Sequence, residues 1–81
     1  MYEPIHETIS VVGLYKNAQF VPRKFLWRQR EYLISDINLI ANIRDGAVYK
    51  RQYAVTAPGG AYRLVFDRAE ETWSLEEIWC D

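Results

Sequence analysis

Apolar and polar side chains alternate along several short stretches of this chain. Alternation with a period of two residues is typical of a β-strand that buries one face. The two clearest stretches each place three large apolar side chains on one face: Tyr62, Leu64 and Phe66 in the first, and Trp73, Leu75 and Trp79 in the second. Both stretches are therefore predicted to be strands that turn this face toward a core.

Residues 27–32 predict a hairpin with an aromatic face. Its loop can be Arg28-Gln29 or Gln29-Arg30. Either choice puts the same four side chains on one face of the hairpin: Phe25, Trp27, Tyr32 and Ile34. We therefore predict that this cluster belongs to the core. Strict alternation assigns Arg23 to the same face.

Turn signals separate the apolar stretches at short intervals. They are Lys16-Asn17, Arg28-Gln29, Arg44-Asp45-Gly46, Pro58-Gly59-Gly60 and Asp67-Arg68-Ala69-Glu70. The sequence predicts six strands, at about 7–15, 19–28, 30–40, 47–56, 61–67 and 72–80. Connections this short favour an all-β fold within a single domain, residues 1–81. We expect a small antiparallel meander, curled into a barrel or a strongly bent sheet.

The segment 35–44 has two interpretations. A Ser-Asp pair at its start and four apolar residues at helical spacing permit a short helix near 36–44: Ile37, Ile40, Ala41 and Ile43. The same apolar run also fits a strand that continues into the turn at Asp45-Gly46. The strand is the favoured interpretation, and the helix remains the alternative.

Composition indicates a folded domain whose core depends on its rings. The 81 residues are 49% hydrophobic and 26% charged, and 15% of them are aromatic. A chain of this length buries only about 60% of its unfolded surface. Aromatic side chains bury much area per residue, so we expect them in the core first.

Charge is distributed unevenly, although the net charge is only −1. Residues 16–66 contain nine Lys or Arg and three acids, whereas residues 67–81 contain one Arg and six acids. This split could produce a basic face and an acidic face. Equally, opposite charges could pair across neighbouring strands.

A longer pattern resembles a known family. It consists of Pro22-Arg23-Lys24-Phe25-Leu26-Trp27-Arg28-Gln29-Arg30-Glu31-Tyr32, then Tyr53-Ala54-Val55, Gly59-Gly60-Ala61-Tyr62, Phe66-Asp67 and Trp73-Ser74-Leu75. From Pro22 onward the chain resembles a family of small bacterial domains of unknown function with a Pro-basic-x-Phe-x-Trp-x-x-Arg-x-Tyr hairpin pattern. Gln29 stands where that pattern usually has a turn glycine, which leaves the tightness of the hairpin open. Some members resemble tails of DNA-handling proteins, so the resemblance implies a binding module and no catalytic residues.

Few residues could support catalysis or hold a metal ion. His6 is the only histidine and Cys80 the only cysteine, so neither an intramolecular disulfide nor a cysteine-based metal site can form. The acidic pairs Glu70-Glu71 and Glu76-Glu77 are expected to have structural or solubilising roles rather than to act as acid and base. We predict that the chain is not an enzyme and carries no cofactor and no metal.

Basic residues interleaved with aromatic ones remain as candidates for function. They are possible contacts to nucleic acid or to a partner: Lys24, Arg28, Arg30, Tyr49, Lys50 and Arg51. On one shared surface, the cations would neutralise phosphates and the rings would stack on bases.

Two hypotheses about the partner follow for a non-catalytic binding module. The first is a protein partner or self-association, through apolar residues left on the second face of the sheet, such as Leu26, Leu33 and Ile37. The alternative is a nucleic-acid accessory domain that uses the basic central region. It ranks second because the net charge is negative and the acidic C-terminal segment would repel phosphate.

The start of the chain bears on location. It lacks the basic segment and long apolar run of a secretory signal, and no stretch approaches the roughly 20 apolar residues of a membrane span. The expectation is a cytoplasmic protein with no membrane partner.

Overall fold

The computed structural model describes residues 1–80; Asp81, the last acid of the acidic C-terminal segment, lies outside the described residues. Seven β-strands form one antiparallel sheet: β1 (Tyr2–Lys16), β2 (Gln19–Trp27), β3 (Arg30–Leu33), β4 (Asp36–Asp45), β5 (Val48–Ala57), β6 (Gly60–Asp67) and β7 (Thr72–Cys80). The all-β prediction is therefore confirmed. Residues 1–80 contain no helix of the length and hydropathy that a membrane crossing requires.

The strands lie in the order β3-β2-β1-β7-β6-β5-β4. Strands joined by hairpin turns are neighbours, and the first strand also pairs with the seventh, where Glu3 lies opposite Ile78. β3 and β4 follow one another in the chain, yet they form the two edges of the sheet. The link between them is tied to β5, because the Ser35 N–H donates to the Thr56 carbonyl at 2.8 Å.

The predicted strand count and the barrel alternative of the predicted fold are wrong. The predicted strand at about 30–40 is in fact two strands, because the chain leaves one edge of the sheet after Leu33 and enters the other edge at Asp36. The sheet has seven strands rather than six for this reason. It is also not closed into a barrel, since no ladder joins β3 to β4 in the described part of the chain. The strand interpretation of the segment 35–44 is confirmed by β4.

Each of the five predicted turn signals lies at a hairpin connection. Arg28 and Gln29 have φ angles of 51° and 65°, so this hairpin closes with two left-handed residues, as type I′ turns do. The turn is tight although it lacks the glycine of the family pattern. Gly46, with a φ of 63°, starts the two-residue loop between β4 and β5.

The core lies on one face of the bent sheet. Its buried members come from five strands: Ile9, Phe25, Trp27, Tyr53, Val55, Ala57, Tyr62, Leu64, Leu75 and Ile78. Tyr32 and Ile34 pack against this cluster, which confirms the predicted aromatic face of the β2–β3 hairpin. The rings of Phe25 and Tyr32 stack with their centroids 4.9 Å apart.

β-Bulges reverse two assignments made from strict alternation. In β7 a register shift turns Ile78 into the core and leaves Trp79 41% exposed, so Trp79 does not share the core face. In β2 a shift opposite Gly13 buries Pro22 and leaves Arg23 exposed. An extra residue in one strand moves the following side chains to the other face.

Candidate binding cleft

A cleft of about 410 Å³ opens at the end of the sheet where the β1–β2 and β6–β7 hairpins turn. Its lining comes from six strands and two turns: Tyr15, Ala18, Phe20, Asn42, Arg51, Tyr53, Phe66, Arg68 and Trp73. The volume lies within the range of ligand pockets, roughly 300–1,000 Å³. We call this site the aromatic–arginine cleft.

Trp73 is the centre of the aromatic lining. Its ring centroid lies 5.0 Å from that of Phe66, 5.3 Å from that of Tyr53 and 5.7 Å from that of Phe20. Tyr15 packs edge-on against Phe20 at 5.4 Å and is 78% exposed at the rim. The lining therefore offers ring surface to a ligand from the buried floor to the exposed edge.

Strand register brings these residues together. One row of paired positions crosses four strands: Asn42, Arg51, Phe66 and Trp73 lie opposite one another in turn. Side chains of directly paired residues share a face of the sheet. The row therefore places a guanidinium between an amide and two rings on the same face as the core.

Local hydrogen bonds hold the cationic side of the cleft. Arg51 Nε donates to Asn42 Oδ1 at 3.1 Å. In the β6–β7 turn, Asp67 Oδ1 accepts from the backbone N–H groups of Ala69 and Glu70, at 2.9 and 3.1 Å. The Arg68 N–H donates to the Tyr49 carbonyl at 3.2 Å, which fixes this turn against β5.

The charge of the cleft is unbalanced. Within residues 1–80, neither Arg51 nor Arg68 forms an ion pair, and no Asp or Glu belongs to the lining. Four of the other eight cations in residues 16–66 form ion pairs among the described residues. Arg51 and Arg68 differ from the remaining unpaired cations because they lie beside aromatic rings in one cleft. Two guanidinium groups beside apolar rings suit an anionic group attached to a planar one.

Three of the predicted contact residues lie at or near the β2–β3 hairpin, away from the cleft. Lys24 Nζ pairs with Glu31 at 3.2 Å, and an Arg28 guanidinium nitrogen lies 2.6 Å from a Glu7 carboxylate oxygen. Arg30 is exposed at the first position of β3. These residues do not form one surface with the cleft.

The other three predicted contacts lie on β5, and only one of them enters the cleft. Lys50 Nζ is 3.8 Å from Asp45. The Arg44 guanidinium lies over one face of the Tyr49 ring, 5.4 Å from its centroid. Arg51 alone among the six lines the cleft.

Sequence reasoning missed most of the site. Phe66 and Trp73 were predicted as core residues from their alternation, and Arg68 was read only as part of a turn. Phe66 and Trp73 lie at strand ends beside the β6–β7 turn. Inward-facing rings at such positions extend beyond the part of the core that other strands cover. Such positions become a usable signal only when the open end of the sheet is known.

The central basic residues find most of their partners nearby, so the opposed charged segments do not simply cancel each other. Only Arg63 of the central segment pairs with the acidic segment, through Glu77, among the described residues. The central cations that do form ion pairs therefore pair mainly with acids outside the C-terminal segment.

A smaller polar cluster joins β1 to β7. His6 Nδ1 lies 2.7 Å from Glu76 Oε1, and Ser74 Oγ donates to Glu76 Oε2 at 2.6 Å. Partial burial raises the pKa of Glu76. The hydrogen bonds from Ser74 and His6 together lower it by more than burial raises it, so the pKa lies below the ordinary value. Both groups bond to the carboxylate, and in residues 1–80 no bond joins the hydroxyl to the imidazole, so this is no nucleophile–base pair.

Metal-binding side chains do not cluster. Within the described residues, no group of three or more His, Cys, Asp or Glu side chains is placed to hold a metal ion. The aromatic–arginine cleft is therefore the site on which a functional proposal rests.

Comparison with known proteins adds no family assignment. No family model, curated protein or solved structure matches this chain. The resemblance to the family of small bacterial domains of unknown function stays a prediction.

Proposed function

We propose that this chain is a non-catalytic binding module that holds single-stranded nucleic acid in the aromatic–arginine cleft. The supporting observation is that Arg51 and Arg68 stand without ion-pair partners, among the described residues, beside rings centred on Trp73. Cations neutralise phosphates, and each base stacked on an aromatic side chain contributes about 1–3 kcal/mol. The cleft supplies both kinds of contact on one surface.

The shape of the cleft favours a single strand over a duplex. A duplex is read by elements that project into a groove, whereas this surface is concave. The faces of duplex bases are covered by their neighbours, and only unstacked bases can lie on a ring. A short segment of single strand can place a base against the aromatic lining and its phosphates beside the arginines.

We expect binding of moderate strength that comes from direct contacts rather than from long-range attraction. The net charge of −1 gives no long-range attraction for a polyanion. Glu70 and Glu71 are exposed in the same turn as Arg68. The proposal thus depends on contacts inside the cleft, and removal of the two arginines should abolish most of the affinity.

The test is a fluorescence anisotropy titration with labelled DNA and RNA single strands of about 12 nucleotides, and with the matching duplexes. It is performed at low and at near-physiological salt. The test variant is Arg51→Ala/Arg68→Ala. The control variant, Arg23→Ala/Arg30→Ala, removes the same charge at exposed positions outside the cleft.

We expect single strands to bind more tightly than duplexes, and the cleft variant to weaken binding about tenfold or more. The control should change affinity by less than about threefold. Equal losses in both variants would show unspecific charge attraction and contradict the proposal. Absence of binding at low salt would also reject it, and tight binding of an acidic, Phe-containing peptide instead would identify a protein ligand.

We also propose a cytoplasmic location. The single cysteine, Cys80, is a free thiol in the described structure. A small domain that forms its core without disulfides suits a reducing compartment.

A further inference from the structure

A second surface lies on the face of the β1–β2–β3 region that points away from the core. Two rows of paired residues form it: Val12, Lys24 and Leu33 in the first row, and Ser10, Leu26 and Glu31 in the second. We call these six residues the outer patch. Its apolar members are well exposed, at 49% for Val12, 37% for Leu26 and 64% for Leu33.

The row of paired residues between these two confirms that the outer patch faces away from the core. Val11, Phe25 and Tyr32 pair across the same three strands, and all three belong to the core or pack against it. Side chains of adjacent rows point to opposite faces. Ile37, which the sequence grouped with Leu26 and Leu33, packs against the core instead.

The outer patch has a diagonal arrangement of charge. On β2 and β3, Lys24 lies opposite Leu33, and Leu26 lies opposite Glu31. The two leucines therefore occupy one diagonal of a rectangle and the two charges occupy the other. The rectangle measures about 5 Å between the strands and about 7 Å along them. Lys24 Nζ and Glu31 Oε2 are 3.2 Å apart across it.

We infer that the outer patch binds a second copy of this chain in a two-fold symmetric dimer. If the two-fold axis follows the leucine diagonal, each leucine meets its own equivalent in the second copy. The same rotation brings Lys24 close to Glu31 of the second copy, within reach of these long side chains. Such an interface pairs apolar with apolar and positive with negative side chains, so it is self-complementary as a two-fold contact requires.

Charge complementarity is the reason to choose a second copy as the occupant. The Lys24 ammonium and the Glu31 carboxylate can exchange partners between copies, so the dimer leaves neither charge unpaired. An unrelated apolar surface would bury the pair without that exchange, at a cost in desolvation. The dimer also leaves the aromatic–arginine cleft open, because the cleft lies on the opposite face of the sheet.

Sedimentation equilibrium over a wide concentration range tests the inference through two sets of variants. Leu26→Ser/Leu33→Ser removes the apolar diagonal. Lys24→Glu and Glu31→Lys each place like charges across the interface, and the double variant Lys24→Glu/Glu31→Lys restores opposite charges. Urea unfolding of every variant checks that the monomer remains folded, which the exposure of Leu26 and Leu33 favours for the serine variant.

We expect a concentration-dependent dimer for the native chain. The serine variant and each single charge reversal should weaken association about tenfold or more, and the charge swap should recover most of it. A native chain that stays monomeric would overturn the inference. So would a dimer whose association is unaffected by these variants, or a charge swap that is no better than its single reversals.

Discussion

Trp27 donates its indole N–H to Glu7 Oε1 at 2.9 Å, and Arg28 donates to Glu7 Oε2 at 2.6 Å. Trp27 belongs to the core and is only 9% exposed, so its N–H needs a partner within the protein. Both hydrogen bonds lower the pKa of Glu7, and the one from Arg28 has the larger effect. One carboxylate on β1 thus anchors the end of β2 and the start of the β2–β3 turn.

Replacement of Glu7 should destabilise the protein through Trp27. Glu7→Ala removes the acceptor for the indole N–H of the buried Trp27, and Glu7→Gln keeps an oxygen acceptor but loses the charge. We expect a clearly lower urea midpoint for Glu7→Ala and an intermediate value for Glu7→Gln, measured by tryptophan fluorescence. Glu70→Ala, at an exposed turn position, is the control and should leave the midpoint unchanged. Equal midpoints for Glu7→Ala and the control would contradict this role.

The two glycines Gly60 and Gly46 should respond very differently to alanine. Gly60 has a φ of 147°, and a Cβ added there would overlap the Trp79 carbonyl oxygen of β7. Gly46 also has a positive φ, but no atom lies within 4 Å of its added Cβ. Gly46→Ala should cost about 1 kcal/mol, and Gly60→Ala at least about 3 kcal/mol. Similar costs in urea unfolding would mean that the β6–β7 backbone can shift to make room.

Glu76 should make stability fall in acid. Its folded pKa is lower than in the unfolded chain, where a glutamate titrates near about 4.3. The stabilisation from Ser74 and His6 is therefore fully present above about pH 4.3 and is lost as the pH falls through the folded pKa. Urea midpoints measured between about pH 6 and pH 3 should drop for the native chain and drop less for Glu76→Gln. Glu70→Gln is the control, and a control curve as flat as that of Glu76→Gln would refute the assignment.

Two exposed tyrosines separate the cleft from the rest of the basic surface. Tyr15 lines the aromatic–arginine cleft and Tyr49 does not, although both are largely exposed, at 78% and 53%. Tyr15→Ala should weaken single-strand binding about fivefold or more, because one stacked base is lost. Tyr49→Ala should leave binding nearly unchanged, and neither variant should alter stability much. An effect of Tyr49→Ala as large as that of Tyr15→Ala would contradict the location of the site.

Local patterns predicted the features that depend on neighbours in sequence. Alternation and turn chemistry located the hairpins, and the aromatic face of residues 25–34 followed for either loop register. The nonlocal features could not be read in this way. The pairing of β1 with β7 and the open edge at β4 depend on how the sheet bends, and the bulge before Ile78 has no signature in the alternation itself.

The candidate site shows the same division. The sequence predicts Arg51 as a contact because it lies in a basic and aromatic run, whereas it marks Arg68 only as part of a turn in the acidic segment. In the structure these two residues share one cleft although they come from regions of opposite average charge. The average charge of a segment therefore does not predict the charge of the cleft, because strand register decides which individual cations lie together.

The pairing of β1 with β7 also governs the order of events when the chain is made. Of the strands described here, β1 emerges from the ribosome before all others and β7 after all others. The long β1 can form its hairpin with β2 early, but its other edge stays unpaired until β7 has been synthesised. An unpaired strand edge of this kind favours contact with other nascent chains. The fold can be completed only after translation of the last strand, whatever the speed of the individual hairpins.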